Sequence, residues 1–301
     1  MNQDKFFAKL DEVSFLGKYP GKRDKKDLLK KGLVLIDKPK NIKSLEVLEK
    51  IKEKLKVKKA AHIGTLDPNV TGLLPILLNK GCKALELMQK SKKTYIGTLH
   101  LHKKVGNNRL KKCINEFTGP IIQKPPKKSS VKRKKRKRTI YEMKIENINK
   151  RDVKLKINCE SGTYIRKLFS DMGKFLGVGA QMTDLRRLKV GEMNVKDAQK
   201  INVDLKILPV EYILNSCKNI IVKNSAVNSL TNGAPLFVQG IAKIQKNIKK
   251  DDKVALITAR GELIATAKAK ANAKKMYKKK KGKAAQLINV IMEKNKYPNK
   301  K

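Results

Sequence analysis

Residues 58–81 read KKAAHIGTLDPNVTGLLPILLNKG, a loop rich in turn residues that runs straight into an uninterrupted apolar stretch. Leu73 to Leu78 carry no polar side chain, and Gly72 on one side and Asn79 and Gly81 on the other bracket them. A run of that length and composition is a strand buried on both faces, so the fold must cover this segment from two sides. Gly64 frees the backbone to turn, and Pro68 keeps the residue before it out of the α region. Asp67, the only acid in the stretch, is expected in an extended conformation on a tight loop held against a core strand. Asp-Pro is also an ordinary turn opener, so the loop alone does not separate a reactive carboxylate from a structural one.

The surrounding sequence alternates strand and helix patterns. GLVLIDKPKN (32–41) reads as a short buried strand ending in a turn, with Ser44 placed to cap a helix carrying Leu45, Leu48, Ile51 and Leu55. TYIGTLHLH (94–102) has the aromatic and β-branched character of a strand, with Tyr95, Leu99 and Leu101 on one side. In VKLKINC, Val153, Leu155, Ile157 and Cys159 alternate with polar residues, the pattern of a half-buried strand. ESGTYIRKLFSDMGKFLGVG then turns on Gly162, is expected to cap at Thr163, and places Ile165, Leu168, Phe169, Met172 and Leu176 at helical spacing before Gly177. Tyr164 and Arg166 flank the inward Ile165 in the first turn. Beyond a boundary at about 196–209, short strands and turns suggest a small all-β or mixed barrel, with KKMYKKKKGK as a basic loop and Leu287–Met292 as a closing strand.

Charge narrows the partners. Lys and Arg outnumber Asp and Glu by 73 to 26, a net charge of +47, which favours a polyanion such as nucleic acid. The densest run, residues 124–138, contains Lys132, Arg133, Lys134, Lys135, Arg136, Lys137 and Arg138. Its prolines and serines predict a loop that contacts RNA phosphates. The four cysteines are scattered without a C-x-x-C pair, so neither a zinc ribbon nor a disulfide framework is expected and a reducing cytoplasm fits. No apolar stretch approaches the ~18 residues of a membrane span, and the N-terminus lacks a signal-peptide core. His100 and His102 share a strand face without acidic or thiol companions, so no metal site is expected.

Together these segments resemble the TruB and dyskerin branch of the pseudouridine synthases, most closely the archaeal H/ACA-guided enzymes. HIGTLDPNVTG is similar to the motif around the family's catalytic aspartate, which places Asp67 as nucleophile, and GLVLIDKP resembles the first motif, with Lys38 and Pro39. KTYIGTLHLH puts Tyr95 at the base-stacking tyrosine. CESGTYIRKL puts Tyr164 and Arg166 at the active-site tyrosine and at the arginine that pairs with the aspartate. GVGAQMTDLRRLKVG matches the next block, with Leu185, Arg186 and Arg187. His62, Lys38 and Leu185 are expected to line the substrate site. The chain departs from the family pattern at Ile63, at Asn41 and at Ser44-Leu45, and its linker after the LRR block is shorter than in typical relatives.

The resemblance implies an α+β fold: a mixed-sheet catalytic domain over residues 32–205 and a small β-barrel-like PUA domain for RNA binding over 206–294. An arm (1–31) is expected to pack on the PUA-like domain, and a basic tail follows at 295–301. It implies isomerisation of uridine to pseudouridine without a cofactor. The implied partners are an H/ACA guide RNA, rRNA or tRNA substrates, small H/ACA core proteins and a kink-turn-binding protein, with no membrane. Two alternatives stand beside this: a guide-free synthase acting on the tRNA T-loop, and a non-catalytic RNA-binding or assembly protein that keeps an enzyme's outline.

Overall fold

A computed structural model of the chain describes residues 5–9, 16–124 and 134–297. Strand β1 (Phe6–Ala8) and helix α1 (Lys25–Lys30) precede β2 (Gly32–Lys38), α2 (Ser44–Leu55), β3 (Ala60–His62) and β4 (Thr71–Leu78). After a helical turn at Asn79–Ala84 come α3 (Leu85–Met88), β5 (Lys93–Leu101), α4 (Asn107–Glu116), β6 (Gly119–Gln123) and β7 (Arg136–Asn149). Next are β8 (Asp152–Cys159), α5 (Ile165–Phe175), β9 (Ala180–Val190), β10 (Met193–Asn194) and β11 (Leu208–Pro209). The remainder holds β12 (Lys218–Val222), α6 (Asn224–Thr231), β13 (Leu236–Phe237), β14 (Ile241–Gln245), β15 (Lys253–Ile257), β16 (Leu263–Ala269), α7 (Ala273–Lys278) and β17 (Lys283–Val290).

These strands form two sheets. A ten-stranded sheet runs β11-β2-β4-β9-β5-β8-β7-β6, with β3 added beside β4 and β10 beside β9, and a seven-stranded sheet runs β1-β14-β12-β15-β16-β17-β13. The long apolar runs explain how they join. In β2 and β4, Val34, Ile36, Leu74, Ile76 and Leu78 pack with Val47, Leu48 and Ile51 of α2. On the opposite face, Leu33, Leu35, Leu73 and Leu77 share a cluster with Ile221, Ala255, Ile257 and Leu263 of the second sheet. Both faces are therefore covered, as an unbroken apolar run requires. The two sheets are fused through a common core. Where only one face is buried, alternation returns: Val153, Leu155, Ile157 and Cys159 of β8 pack with Leu168, Phe169 and Met172 of α5.

The N-terminal segment closes the junction. β1 pairs antiparallel with β14, and Phe7 stacks on Tyr277 at 5.0 Å between ring centroids. Arg23 forms a two-pronged ion pair with Glu211 at 2.7 and 2.8 Å, and both side chains are almost wholly buried.

Several local expectations change. Ser44 is the first residue of α2, behind an N-cap at Lys43, and its hydroxyl serves another purpose given below. The cap of α5 is Tyr164 rather than Thr163, whose hydroxyl donates back to the Glu160 carbonyl. The basic run is not a loop at its C-terminal end: Arg136, Lys137 and Arg138 open β7, paired with Gln123, Ile122 and Ile121 of β6. Lys134 and Lys135 lie just ahead of it, while Lys132 and Arg133 lie outside the described residues. The KKMYKKKKGK segment begins as α7, capped by the Asn272 side chain, and the closing strand is Lys283–Val290.

Candidate active site

The loop from Ile63 to Val70 is built to hold one geometry. Gly64 has φ +85°, which admits glycine without strain, and the turn at Asp67-Pro68-Asn69-Val70 is closed by the Val70 N–H donating to the Asp67 carbonyl at 3.0 Å. Gly72, at φ +103°, lets β4 approach β9 in parallel; a Cβ there would sit 2.3 Å from the Arg187 carbonyl oxygen.

Three side chains then fasten the loop from outside it. The Ser44 hydroxyl, 2 % exposed, donates to the Leu66 carbonyl at 2.8 Å and accepts from the Leu66 N–H at 2.9 Å. The Lys38 ammonium donates to the carbonyls of Pro39, Ile42 and Pro68 at 2.8, 2.8 and 2.9 Å. Arg187, 1 % exposed, donates to Leu73 at 2.8 Å, Gly64 at 2.9 Å and Thr65 at 3.5 Å. Burial pushes both cations' pKa values down. A buried cation is tolerated where carbonyls replace its water, and here those carbonyls belong to the loop itself.

The Asp67 carboxylate at the loop tip forms an ion pair with Arg166 in the first turn of α5. Their side chains are 57 % and 60 % exposed, so the carboxylate is open to solvent. An exposed pair contributes at most about 1 kcal/mol to stability. Its effect is orientation.

Tyr95 on β5 lies opposite Arg187 of β9 in the strand register and packs on the α5 cluster, half-buried. Burial pushes its phenol up, while the Arg187 guanidinium opposes the shift by charge and hydrogen bond. Tyr164 is fixed by its backbone: the Gln123 amide donates to its carbonyl at 3.2 Å and accepts from its N–H at 3.0 Å. His62 ends β3, half-buried, with Nδ1 unpartnered among the described residues; burial and, less, the nearby Arg187 lower its pKa and favour the neutral ring. Leu185 is buried against Gly97, where a Cβ would come within 2.8 Å of its Cδ1.

Two of the expected contacts need correction. Lys38 is 0 % exposed and fully engaged by carbonyls, so it positions the Pro68 turn instead of touching substrate. Arg138 points to Glu160 at 3.4 Å and lies against Gly162, so it braces the turn that leads into Tyr164. Lys134, Lys135 and Lys137 are exposed and Arg136 half-buried. Among the described residues no group of three His, Cys, Asp or Glu side chains is arranged to hold a metal, and His100 is engaged by Asp152 at 2.6 Å.

Comparison with known proteins fits this geometry. Residues 52–165 match the model of the TruB family pseudouridylate synthase N-terminal domain, 166–215 that of the tRNA pseudouridylate synthase B C-terminal domain, and 218–291 that of the PUA domain. A protein of Archaeoglobus fulgidus named a probable tRNA pseudouridine synthase B is 39% identical over 99% of this chain and 98% of its own length. The chain belongs to the TruB family of pseudouridine synthases. A second relative of the same name, from Korarchaeum cryptofilum, is 43% identical over 89% of this chain and 88% of its own. Among solved structures, the chain is similar to one in a Cbf5-Nop10-Gar1 complex, with a TM-score of 0.92, 34% identity and coverage of 98% of this chain and 96% of that one. It is also similar to one in an H/ACA RNP bound to a substrate RNA containing 2'-deoxyuridine, with a TM-score of 0.90, 33% identity and coverage of 97% and 96%.

This TruB-family chain is thus an α+β pseudouridine synthase with a PUA domain. Asp67 pairs with Arg166, Tyr95 lies near enough to feel the Asp67 charge, and Tyr164 caps the helix turn that carries Arg166. Sequence reasoning missed three supports: Ser44, Arg187 and Gln123. The sequence carried no periodic signal for Arg187, which shares its strand phase with Gln181, Thr183, Leu185 and Lys189, only one of them apolar.

Proposed function

We propose that this pseudouridine synthase is the catalytic subunit of an H/ACA guide-RNA particle, with Asp67 as the reacting carboxylate. What carries the assignment of Asp67 is that an otherwise ordinary exposed ion pair with Arg166 sits on a loop fastened by three buried side chains. A stacked uridine does not reach a carboxylate, so the target is extruded at a cost of a few kcal/mol, least where it is already unpaired. Tyr95 offers a ring for the extruded base, worth roughly 1 to 3 kcal/mol. Closure of RNA over the site removes water from Asp67, and the Arg166 guanidinium then keeps the carboxylate charged as it attacks the ribose carbon or supports departure of the base. The base turns and rejoins through C5, and Tyr164, held by Gln123, orients the Asp67–Arg166 pair or assists loss of the C5 proton. Lys134, Lys135, Lys137 and Arg136 contact RNA phosphates.

The guided reading draws on the similarity to chains solved with Nop10, Gar1 and H/ACA RNA; its partners are small proteins of that type, a guide RNA and rRNA, in the cytoplasm. No helix among the described residues is long and apolar enough to cross a membrane. A second reading, guide-free action on tRNA, draws on the names of the relatives. Release of tritium from C5-labelled uridine in rRNA and tRNA, with and without guide RNA and small proteins, separates them. Release that requires the guide supports the first reading; equal release from tRNA without it overturns that reading in favour of the second.

A further inference from the structure

At the junction of the two sheets, about 25 Å along β4 from the Asp67 end by strand rise, lies a cavity of about 650 Å³. Lys58 and Lys59 ahead of β3, Lys80 and Lys83 from the turn after β4, and Asn289 from β17 rim it, and Cys82 and Leu85 supply an apolar floor. Its one acid, Glu86, is occupied by the junction: the Thr266 hydroxyl, the Asn289 amide at 3.0 Å and the Lys253 ammonium at 3.2 Å all converge on it. Lys83 donates to the Val290 carbonyl at 3.0 Å and Lys80 lies 3.5 Å from Glu293, so these two also tie the sheets together. Lys58 and Lys59 are different. Both are exposed, and among the described residues neither ammonium has an ion-pair or hydrogen-bond partner.

The rim is therefore positive once its internal pairs are counted. It is continuous with β3, whose last residue, His62, leads directly into the Asp67 loop. Two unpaired ammonium groups above a recess at the junction with the PUA domain are complementary to a polyanionic strand.

We propose that this notch holds the sugar–phosphate backbone of the RNA bound for modification, with Lys58 and Lys59 each contacting a phosphate independently of sequence. The proposal rests on the reading of the chain as an RNA-modifying enzyme. The notch then helps to position the RNA, because a phosphate backbone fixed there limits how the strand approaches the Asp67 loop that β3 leads into.

Cys82 on the floor is a built-in reporter, since it is partly exposed whereas Cys113 and Cys159 are buried. The experiment alkylates the full chain with iodoacetamide, with and without an unmodified tRNA transcript, and locates the adduct by peptide mapping, which separates Cys82 from Cys217. In parallel, the salt dependence of transcript binding is compared between wild type and the Lys58→Ala/Lys59→Ala variant. The expected results are several-fold slower alkylation of Cys82 with RNA, and a log–log salt slope shallower by about 1.4 to 1.8 in the variant, from about 0.7 to 0.9 per lost phosphate contact. Bound transcript with Cys82 unprotected and an unchanged slope would overturn the notch while leaving the RNA reading intact. Failure of wild type to bind both this transcript and a guide RNA paired with its target would overturn both. Protection by an acidic protein fragment but not by RNA would also overturn the proposal, assigning the notch to a protein partner. The protection arm uses the wild-type chain, so it stands even if the variant is poorly folded.

Discussion

Replacing Arg187 with lysine keeps the charge and removes the fork. The guanidinium makes two well-formed bonds, to Leu73 at 2.8 Å and Gly64 at 2.9 Å, and a long one to Thr65 at 3.5 Å. Charge-assisted bonds of this kind are worth about 1.5 to 3 kcal/mol each, and an ammonium on a shorter stem reaches one carbonyl at best. The loss, including an orphaned carbonyl, comes to about 2 to 4 kcal/mol of stability. At roughly 2 to 4 °C per kcal/mol for a unit of this size, the melting transition should fall by on the order of 10 °C. The catalytic effect is separate. Freed at Gly64, the loop shifts Asp67 relative to Tyr95, and a displacement of about 1 Å costs roughly 100-fold in rate. Arg187 is 1 % exposed, so RNA affinity should stay close to wild type. Calorimetry, filter binding and single-turnover tritium release, all well below the melting temperature, read the three quantities. A variant that is destabilised yet turns over within about twofold of wild type would refute the positioning argument and leave Arg187 a core residue.

Lys38→Met should act on the neighbouring turn. With three carbonyls losing their ammonium donor, that of Pro68 left with the Asn41 N–H alone, the amides of Asn41 and Val70 should exchange with solvent roughly 10- to 100-fold faster; unchanged exchange there contradicts the role given to Lys38. Lys93, 6 % exposed, predicts a pH effect. Burial and the nearby Arg187 hold its pKa down at about 8, below the ~10.4 of an unfolded lysine. Between those values the unfolded chain carries the extra proton, so this residue makes stability rise with pH from about 8 to about 10.4, by on the order of 3 kcal/mol. Urea unfolding of wild type and Lys93→Met at pH 7.5 and pH 10 should show wild type gaining on the variant; a difference that stays flat contradicts the assignment.

Much of this architecture was legible because burial leaves a periodic trace. Leu73–Leu78 reads as a two-faced core strand and is one, between α2 and the second sheet, and the alternation in β8 and the helical spacing in α5 translate directly into packing. The loop's tip was legible through Gly64 and Pro68. What supports the loop was not. Ser44 has the identity of a helix cap, Lys38 that of a substrate-facing cation, and Arg187 that of half an ordinary basic pair; each is redirected by carbonyls that arrive from elsewhere in the chain. Convergence of backbone groups leaves no period in the sequence. Lysine density misled in the same way: β7 and α7 both begin within basic runs because their exposed faces carry the charge while Ile140, Met143, Ala273 and Met276 fill the core.

The proposed mechanism turns on Asp67, held out on a braced loop and paired with Arg166, as the group that reacts. Asp67→Asn isolates that role, since this isosteric change removes the charge and leaves the fastening by Ser44, Lys38 and Arg187 in place. Tritium release from C5-labelled uridine under single-turnover conditions should fall to background while RNA affinity stays within a few-fold of wild type. Release at a rate near that of wild type would show that another group reacts.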